Sequence, residues 1–137
     1  MSKTINLDNI SIGMKANASH LITGEKIKAF AQISEDYNPI HLDDDYAKNS
    51  TFGKRVAHGA MVSSFFSSLF AMKLPGPGSI YVAQDTKYKK PVFINDTVFV
   101  EIEVISINTE RKRVFFSTRC FVEEVEVLSG QAEIYLP

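Results

Sequence analysis

The stretch MVSSFFSSLFAM, residues 61–72, constrains this chain more than any other, because it is apolar around most of a helical circumference. Met61, Phe65 and Leu69 form one i, i+4 row and Val62, Phe66 and Phe70 form another, with serines in the gaps. Such a helix needs cover on most of its sides and is usually buried. Pro75-Gly76-Pro77-Gly78 then ends it. The run is too short and too often broken by serine to span a bilayer.

The cover has to come from the rest of the chain, and downstream the period changes. Residues 79–93, 97–107, 113–125 and 129–136 are rich in β-branched and aromatic side chains. Val98, Val100, Ile102 and Val104 alternate with Phe99, Glu101 and Glu103, the pattern of a half-buried strand. Turns are expected at Asn95-Asp96, at residues 108–112 and at Ser129-Gly130. This regular spacing predicts an antiparallel meander.

Upstream, residues 14–22 read as a short first strand. Thr23 offers an N-cap oxygen with Glu25 in the first turn, and Ile27, Phe30, Ala31 and Ile33 follow at helical spacing. The helix is expected to stop near Pro39, since the residue before a proline is pushed out of the helical region. Residues 41–50 read as a loop with a short helical turn. The prediction is an α+β fold, a curved antiparallel sheet wrapped around a central helix, in one domain of residues 1–137.

Several functions are excluded at once. The formal net charge is -1 and no basic block occurs, so nucleic-acid binding has no electrostatic footprint. Residues 1–13 lack an apolar core of the kind a secretory signal needs. Cys120 is the sole cysteine, which rules out an intramolecular disulfide and argues against a cysteine metal cage. His20, His41 and His58 lack metal-ligand spacing. The expectation is a soluble, cytoplasmic protein with no metal, no membrane partner and no nucleic-acid partner.

Chemistry concentrates in SEDYNPIHL, residues 34–42. Asp36 and His41 flank a proline-stiffened loop, and an imidazole is the group suited to moving protons near neutral pH. Together with a carboxylate it can hold one water on one face of a double bond. Asn38 can brace the loop or fix His41. The alternative is a polar turn, with Asp36 and Asn38 bonding local backbone and His41 half-buried.

His58-Gly59-Ala60 opens the apolar helix. A glycine there leaves free N–H groups at the positive helix end, able to hold the oxygen of an enolate. The alternative is tight packing at Gly59. His58 reads as a structural histidine at a helix start rather than a second base. Ser63, Ser64, Ser67 and Ser68 let the helix pack closely, and no G-x-S-x-G elbow is present. His20 reads as a surface strand residue and Cys120 as core. Lys54, Arg55, Lys87, Lys89 and Lys90 suit ligand phosphates, although a solvated face is their usual meaning.

The segments FAQISEDYNPIHLDDDYAKNSTFGKRVAHGAM, LPGPGSIYVAQDTKYKKPVF and GQAEIYLP resemble the MaoC-like hydratases of the hot-dog fold, in particular the (R)-specific enoyl-CoA hydratases. The resemblance implies that Asp36 and His41 are the catalytic acid–base pair, with Asp36 the base toward water. It places Asn38 in support, the Gly59 N–H on the thioester oxygen, and Ser34 and Ser67 near the site. It further implies an acyl-CoA thioester substrate, no cofactor, and a homodimer joined edge to edge. Three alternatives stay open at this point: a dehydratase acting on carrier-protein substrates, a thioesterase, or a non-catalytic dimer that binds acyl thioesters. Met61, Phe65, Phe66, Leu69, Phe70 and Met72 are candidates for an acyl pocket.

Overall fold

In the computed structural model, which describes residues 3–137, the chain runs β1 (Lys15–Leu21), α1 (Gly24–Ser34), α2 (Pro39–Leu42), α3 (Asp44–Lys48), α4 (Gly59–Met72), β2 (Ile80–Tyr88), β3 (Thr97–Asn108), β4 (Arg113–Val122) and β5 (Val125–Tyr135). The strands form one antiparallel sheet in the order β1-β3-β4-β5-β2. Only β3, β4 and β5 make the expected meander. The chain leaving α4 enters the sheet at its far edge as β2, against β5, while β1 closes the other edge against β3.

The alternation in β3 sets the inner face, with Val98, Val100, Ile102 and Val104 all fully buried. Val114 and Phe116 from β4 and Leu128 and Ile134 from β5 extend it. Met61, Val62, Phe66, Leu69 and Phe70 of α4 pack into the same core cluster. Phe70 meets Phe116 edge-on with ring centroids 4.8 Å apart, and each buried side chain of this size contributes about 1.5–3 kcal/mol. This layout, a helix laid against a curved antiparallel sheet, is the hot-dog arrangement.

The cover is less complete than the apolar run implies. Ser64, Ser67 and Ser68 face solvent, and only Ser63 among the four serines is buried. Met72 is also exposed. A five-stranded sheet covers one side of α4, and the serines mark the side it leaves open. Among the described residues no helix is long and apolar enough to cross a membrane.

Local punctuation departs from expectation in instructive ways. Thr23 caps α1 as read, accepting from the Lys26 N–H at 3.1 Å. The helix nevertheless ends at Ser34, where Glu35 turns left-handed at φ 63. Pro39 is therefore a starter rather than a stopper, at the head of α2 with Asn38 as its cap. Ile33, inside α1, faces away from the buried side of Ile27 and Ala31 and is exposed.

Ser129-Gly130 is not a turn either but lies inside β5. A Cβ on Gly130 would come within 2.0 Å of the Asp85 carbonyl oxygen, so glycine is there because β2 crosses close by. The true β4–β5 turn is Glu123-Glu124, both at positive φ, which is the twist a tight hairpin requires.

His20 is on a strand, as read, but only partly at the surface. Its ring lies flat on Phe65 of α4, centroids 4.0 Å apart, and its Nε2 is buried without a hydrogen-bond partner. Burial first, then Lys26 and Lys73, lowers its pKa from the ordinary 6.5. Cys120 is core, as read, and burial pushes its thiol up to about 12.

Candidate active site

The loop after α1 is knitted by its own polar side chains. Ser34 Oγ donates to the Phe30 carbonyl at 2.7 Å and accepts from the Asp36 N–H at 3.2 Å. Asp36 Oδ1 accepts from the Asn38 N–H at 3.1 Å, and Asn38 Oδ1 accepts from the Ile40 N–H at 3.2 Å, capping α2. These are the local bonds expected of Asx-type turns. Asn38 braces the loop, and its own contact with His41 is through backbone, its carbonyl accepting the His41 N–H at 3.0 Å.

That bracing uses one carboxylate oxygen and leaves the other. Asp36 Oδ2 faces His41 Nε2 across 4.0 Å. His41 is buried, and its Nδ1 lies 2.7 Å from the Val56 carbonyl oxygen. A carbonyl only accepts, so the proton of neutral His41 sits on Nδ1 and the Nε2 lone pair points at the carboxylate. A separation of 4.0 Å is too long for a direct hydrogen bond and suits one water bonded to both groups.

His41 has its pKa lowered from the ordinary 6.5. Burial is the largest cause; the bond to Val56 opposes it, His58 adds to it, and Asp36 opposes it. At neutral pH the imidazole is thus an uncharged acceptor toward the gap.

His58 is the N-cap residue of α4 and is almost wholly buried. Its ring stacks on that of His41 with centroids 3.8 Å apart, and Phe30 stands 5.0 Å away on a tilt. Its Nε2 lies 3.0 Å from the Asp36 backbone carbonyl and donates to it. Its Nδ1 is buried with no partner. His58 does stand at the helix start, and its bond to Asp36 spans 22 residues and left no local signal.

Gly59 is the first residue of α4, and His58 supplies no side-chain cap to the N–H groups behind it. A Cβ on Gly59 would sit 2.9 Å from Tyr88 Cε1, so close approach of β2 also calls for glycine here. The Tyr88 hydroxyl donates to Ser63 Oγ at 3.3 Å. Beside Gly59 opens a cavity of about 310 Å³ whose apolar walls include Val56, Val62, Val92 and Leu128, with Lys89 and Lys90 among its lining residues.

None of the six candidate acyl-pocket residues lines this cavity; Met61, Phe66, Leu69 and Phe70 are core instead. Asp36 and His41 lie outside it, and half of the Asp36 side chain is exposed. Ser67 stands about 12 Å along α4 from Gly59, given a rise of about 1.5 Å per residue. It is exposed and is not brought to Asp36 or His41 within the described chain. Of the cations, Arg55 pairs with Asp44 at 2.8 Å, Lys89 pairs with Glu126 at 2.5 Å, and Lys54 lies over the Phe93 ring.

Asp36, His41 and His58 each offer a ligand atom within 4.8 Å of the others, a cluster that invites comparison with a cation site. Two of the four imidazole nitrogens are already committed to backbone carbonyls. The rings are stacked with centroids 3.8 Å apart, and one nitrogen on each stays free. The arrangement fits a water between carboxylate and imidazole better than a metal.

The sequence of this chain matches the model of the MaoC like domain over residues 8–129. The chain belongs to the MaoC-like domain family. It is 39% identical over 130 residues to the (R)-specific enoyl-CoA hydratase of Rhodospirillum rubrum, covering 95% of this chain and 90% of that one. Among solved structures, the (R)-hydratase of A. caviae involved in PHA biosynthesis superposes with a TM-score of 0.92 at 36% identity, over 94% of this chain and 98% of that one. The unliganded R-hydratase PhaJ1 of Pseudomonas aeruginosa gives a TM-score of 0.93 at 36% identity, over 98% and 86% of the two chains.

Proposed function

We propose that this protein is an (R)-specific enoyl-CoA hydratase, a hydro-lyase that adds water reversibly to a trans-2-enoyl-CoA to give the (R)-3-hydroxyacyl-CoA. The observation that carries the reading is the 4.0 Å gap between Asp36 Oδ2 and His41 Nε2, beside the uncapped start of α4. Its hydratase relatives support the substrate class.

A water in the gap gives its two hydrogens to Asp36 and His41 and turns a lone pair toward C3 of the enoyl thioester. As the new C–O bond forms, Asp36 takes one proton from the water. The C2=C3 electron pair moves onto the thioester oxygen, where the Gly59 N–H holds the growing negative charge. C2 then takes that proton back from Asp36 on the same face, so H and OH are added with the thioester bond intact and the carboxylate is restored. No metal or redox cofactor is needed, because the thioester carbonyl supplies the electron sink. Ser34 and Asn38 keep Asp36 aimed, and Ser67 serves at the site only if a second copy supplies it.

The working form is a cytoplasmic homodimer, each copy a single domain over residues 1–137. In support, β2 is an edge strand whose Ile80, Val82 and Tyr88 are exposed, and edges of this kind favour pairing with another copy. A partner covering the half-exposed Asp36 would also exclude bulk water from the gap.

Purified protein mixed with crotonyl-CoA should bleach the conjugated enoyl-thioester absorbance without releasing free thiol, giving the (R)-3-hydroxy product. Folded Asp36→Asn and His41→Ala proteins should each lose about 10²–10⁴-fold in kcat. Either variant at wild-type turnover sinks the assignment. Thiol release points instead to a thioesterase, and turnover confined to a carrier-protein thioester points to the dehydratase.

A further inference from the structure

We infer that His58 is a positioning residue: through its bond to the Asp36 carbonyl and its stack on His41, it locks the water-holding side of the site to the start of α4, where Gly59 holds the thioester oxygen. The inference rests on the hydratase reading and goes beyond it by giving His58 a part that neither the acid–base pair nor the oxyanion donor performs.

On structural grounds alone, histidine suits position 58 poorly. The site is almost wholly buried, yet Nδ1 has no hydrogen-bond partner there, and burying an unpaired polar atom is unfavourable. A phenylalanine or leucine would fill the space without that penalty. Position 58 is also the N-cap of α4, where serine, threonine, asparagine or aspartate would bond a free N–H and histidine makes no such bond. Neither packing nor capping asks for an imidazole.

The bond it does make goes to the Asp36 carbonyl at 3.0 Å, tying the α1–α2 loop to the residue immediately before Gly59. The base that takes a proton from water and the N–H that stabilises the enolate must keep a fixed separation, because reaction needs both at once. Misplacement by about 1 Å can cost about 10²-fold. The stack at 3.8 Å likewise fixes the plane in which His41 Nε2 faces the gap. The charged and titratable groups facing His41 are Asp36, His58 and Arg55, whose guanidinium reaches the His41 carbonyl at 3.4 Å.

Three variants separate the parts. His58→Phe keeps a ring against His41 and removes the N–H. It should lose about 10–100-fold in kcat with KM changed less than about threefold. His58→Gln restores an N–H at comparable reach and should recover most of the loss. If the Phe protein does not fold, His58→Asn takes its place: it adds the missing helix cap, lacks both reach and ring, and should lose at least as much.

In every variant the second imidazole is gone. The His41 titration followed by NMR, and with it the acid limb of kcat/KM, should move to higher pH. Variants that lose thermal stability but keep wild-type kcat and pH profile overturn the inference and leave the hydratase reading standing. Wild-type protein inactive on every enoyl thioester overturns both, whatever the variants do.

Discussion

The β3–β4–β5 ladder and the junction where the α1–α2 loop meets α4 are both tightly held, yet they use their residues in opposite ways. In the ladder, inward positions of β3 and β4 are apolar but for Thr118, and the backbone is paired strand to strand. At the junction, Asp36, His41 and His58 each make one side-chain hydrogen bond and keep one group free. Asp36 Oδ1 braces the loop while Oδ2 faces the gap; His41 Nδ1 meets Val56 while Nε2 faces the gap; His58 Nε2 meets Asp36 while Nδ1 has no partner. A ladder has nothing left with which to bind a ligand, whereas a junction of half-used groups does. Departures from full polar satisfaction of this kind are expected at functional sites.

The largest effects come from breaking each region and finding the other intact. Phe116→Ala removes a fully buried ring from the ladder and should lower stability by about 3–5 kcal/mol, while the fraction that remains folded keeps wild-type kcat. Chemical denaturation and active-site-normalised rates check both halves. Asp36→Asn is the mirror case. The asparagine oxygen can still accept from the Asn38 N–H and half of the side chain is exposed, so stability should stay within about 0.5 kcal/mol while turnover collapses. A large stability loss in Asp36→Asn would show that the junction is scaffold.

A smaller effect separates the regions by pH. His20 and His41 both have folded pKa values below the ordinary 6.5, chiefly through burial. Between the folded value and 6.5 the unfolded chain binds more protons, so stability rises with pH there; it is fully present above 6.5 and is lost as pH falls through the folded values. In the proposed mechanism activity follows His41 and not His20. Protonation removes its lone pair from the gap, and the acid limb of kcat/KM should fall below pH 6.5. His20→Asn should weaken the pH dependence of melting while leaving the acid limb in place; an acid limb that moves with His20 would break the separation.

How much of this was legible in the sequence follows the same division. The inner face of β3 could be read residue by residue, because strand alternation is a period-two pattern written locally. So could Thr23 and the pairing of Asp36 with His41, which stand five residues apart across one loop. The Glu123-Glu124 hairpin could not, since two glutamates at positive φ carry no turn signal. Gly130 misled for a related reason: glycine marks a turn or a close approach, and only the placement of β2 says which. The partial exposure of α4 was hidden because serine permits packing and solvent contact equally. His58 was hidden because its meaning lies in a bond 22 residues away, which no periodicity records.

The smallest predicted effect tests whether scaffold and junction are joined by α1. That helix begins at the Thr23 cap and ends at Ser34, whose hydroxyl holds the Asp36 N–H. Thr23→Ala removes one capping bond and should lower stability by about 1 kcal/mol, which thermal melting would register as a fall of a few degrees. Fraying should stay in the first turn, because Ile27 and Ala31 anchor the helix to the core beyond it. The Ser34–Asp36 bond lies at the opposite end, past that anchor, so kcat on crotonyl-CoA should be unchanged. A drop in kcat out of proportion to the lost stability would mean that α1 moves as a rigid rod and carries disturbance at its start into the site at its end.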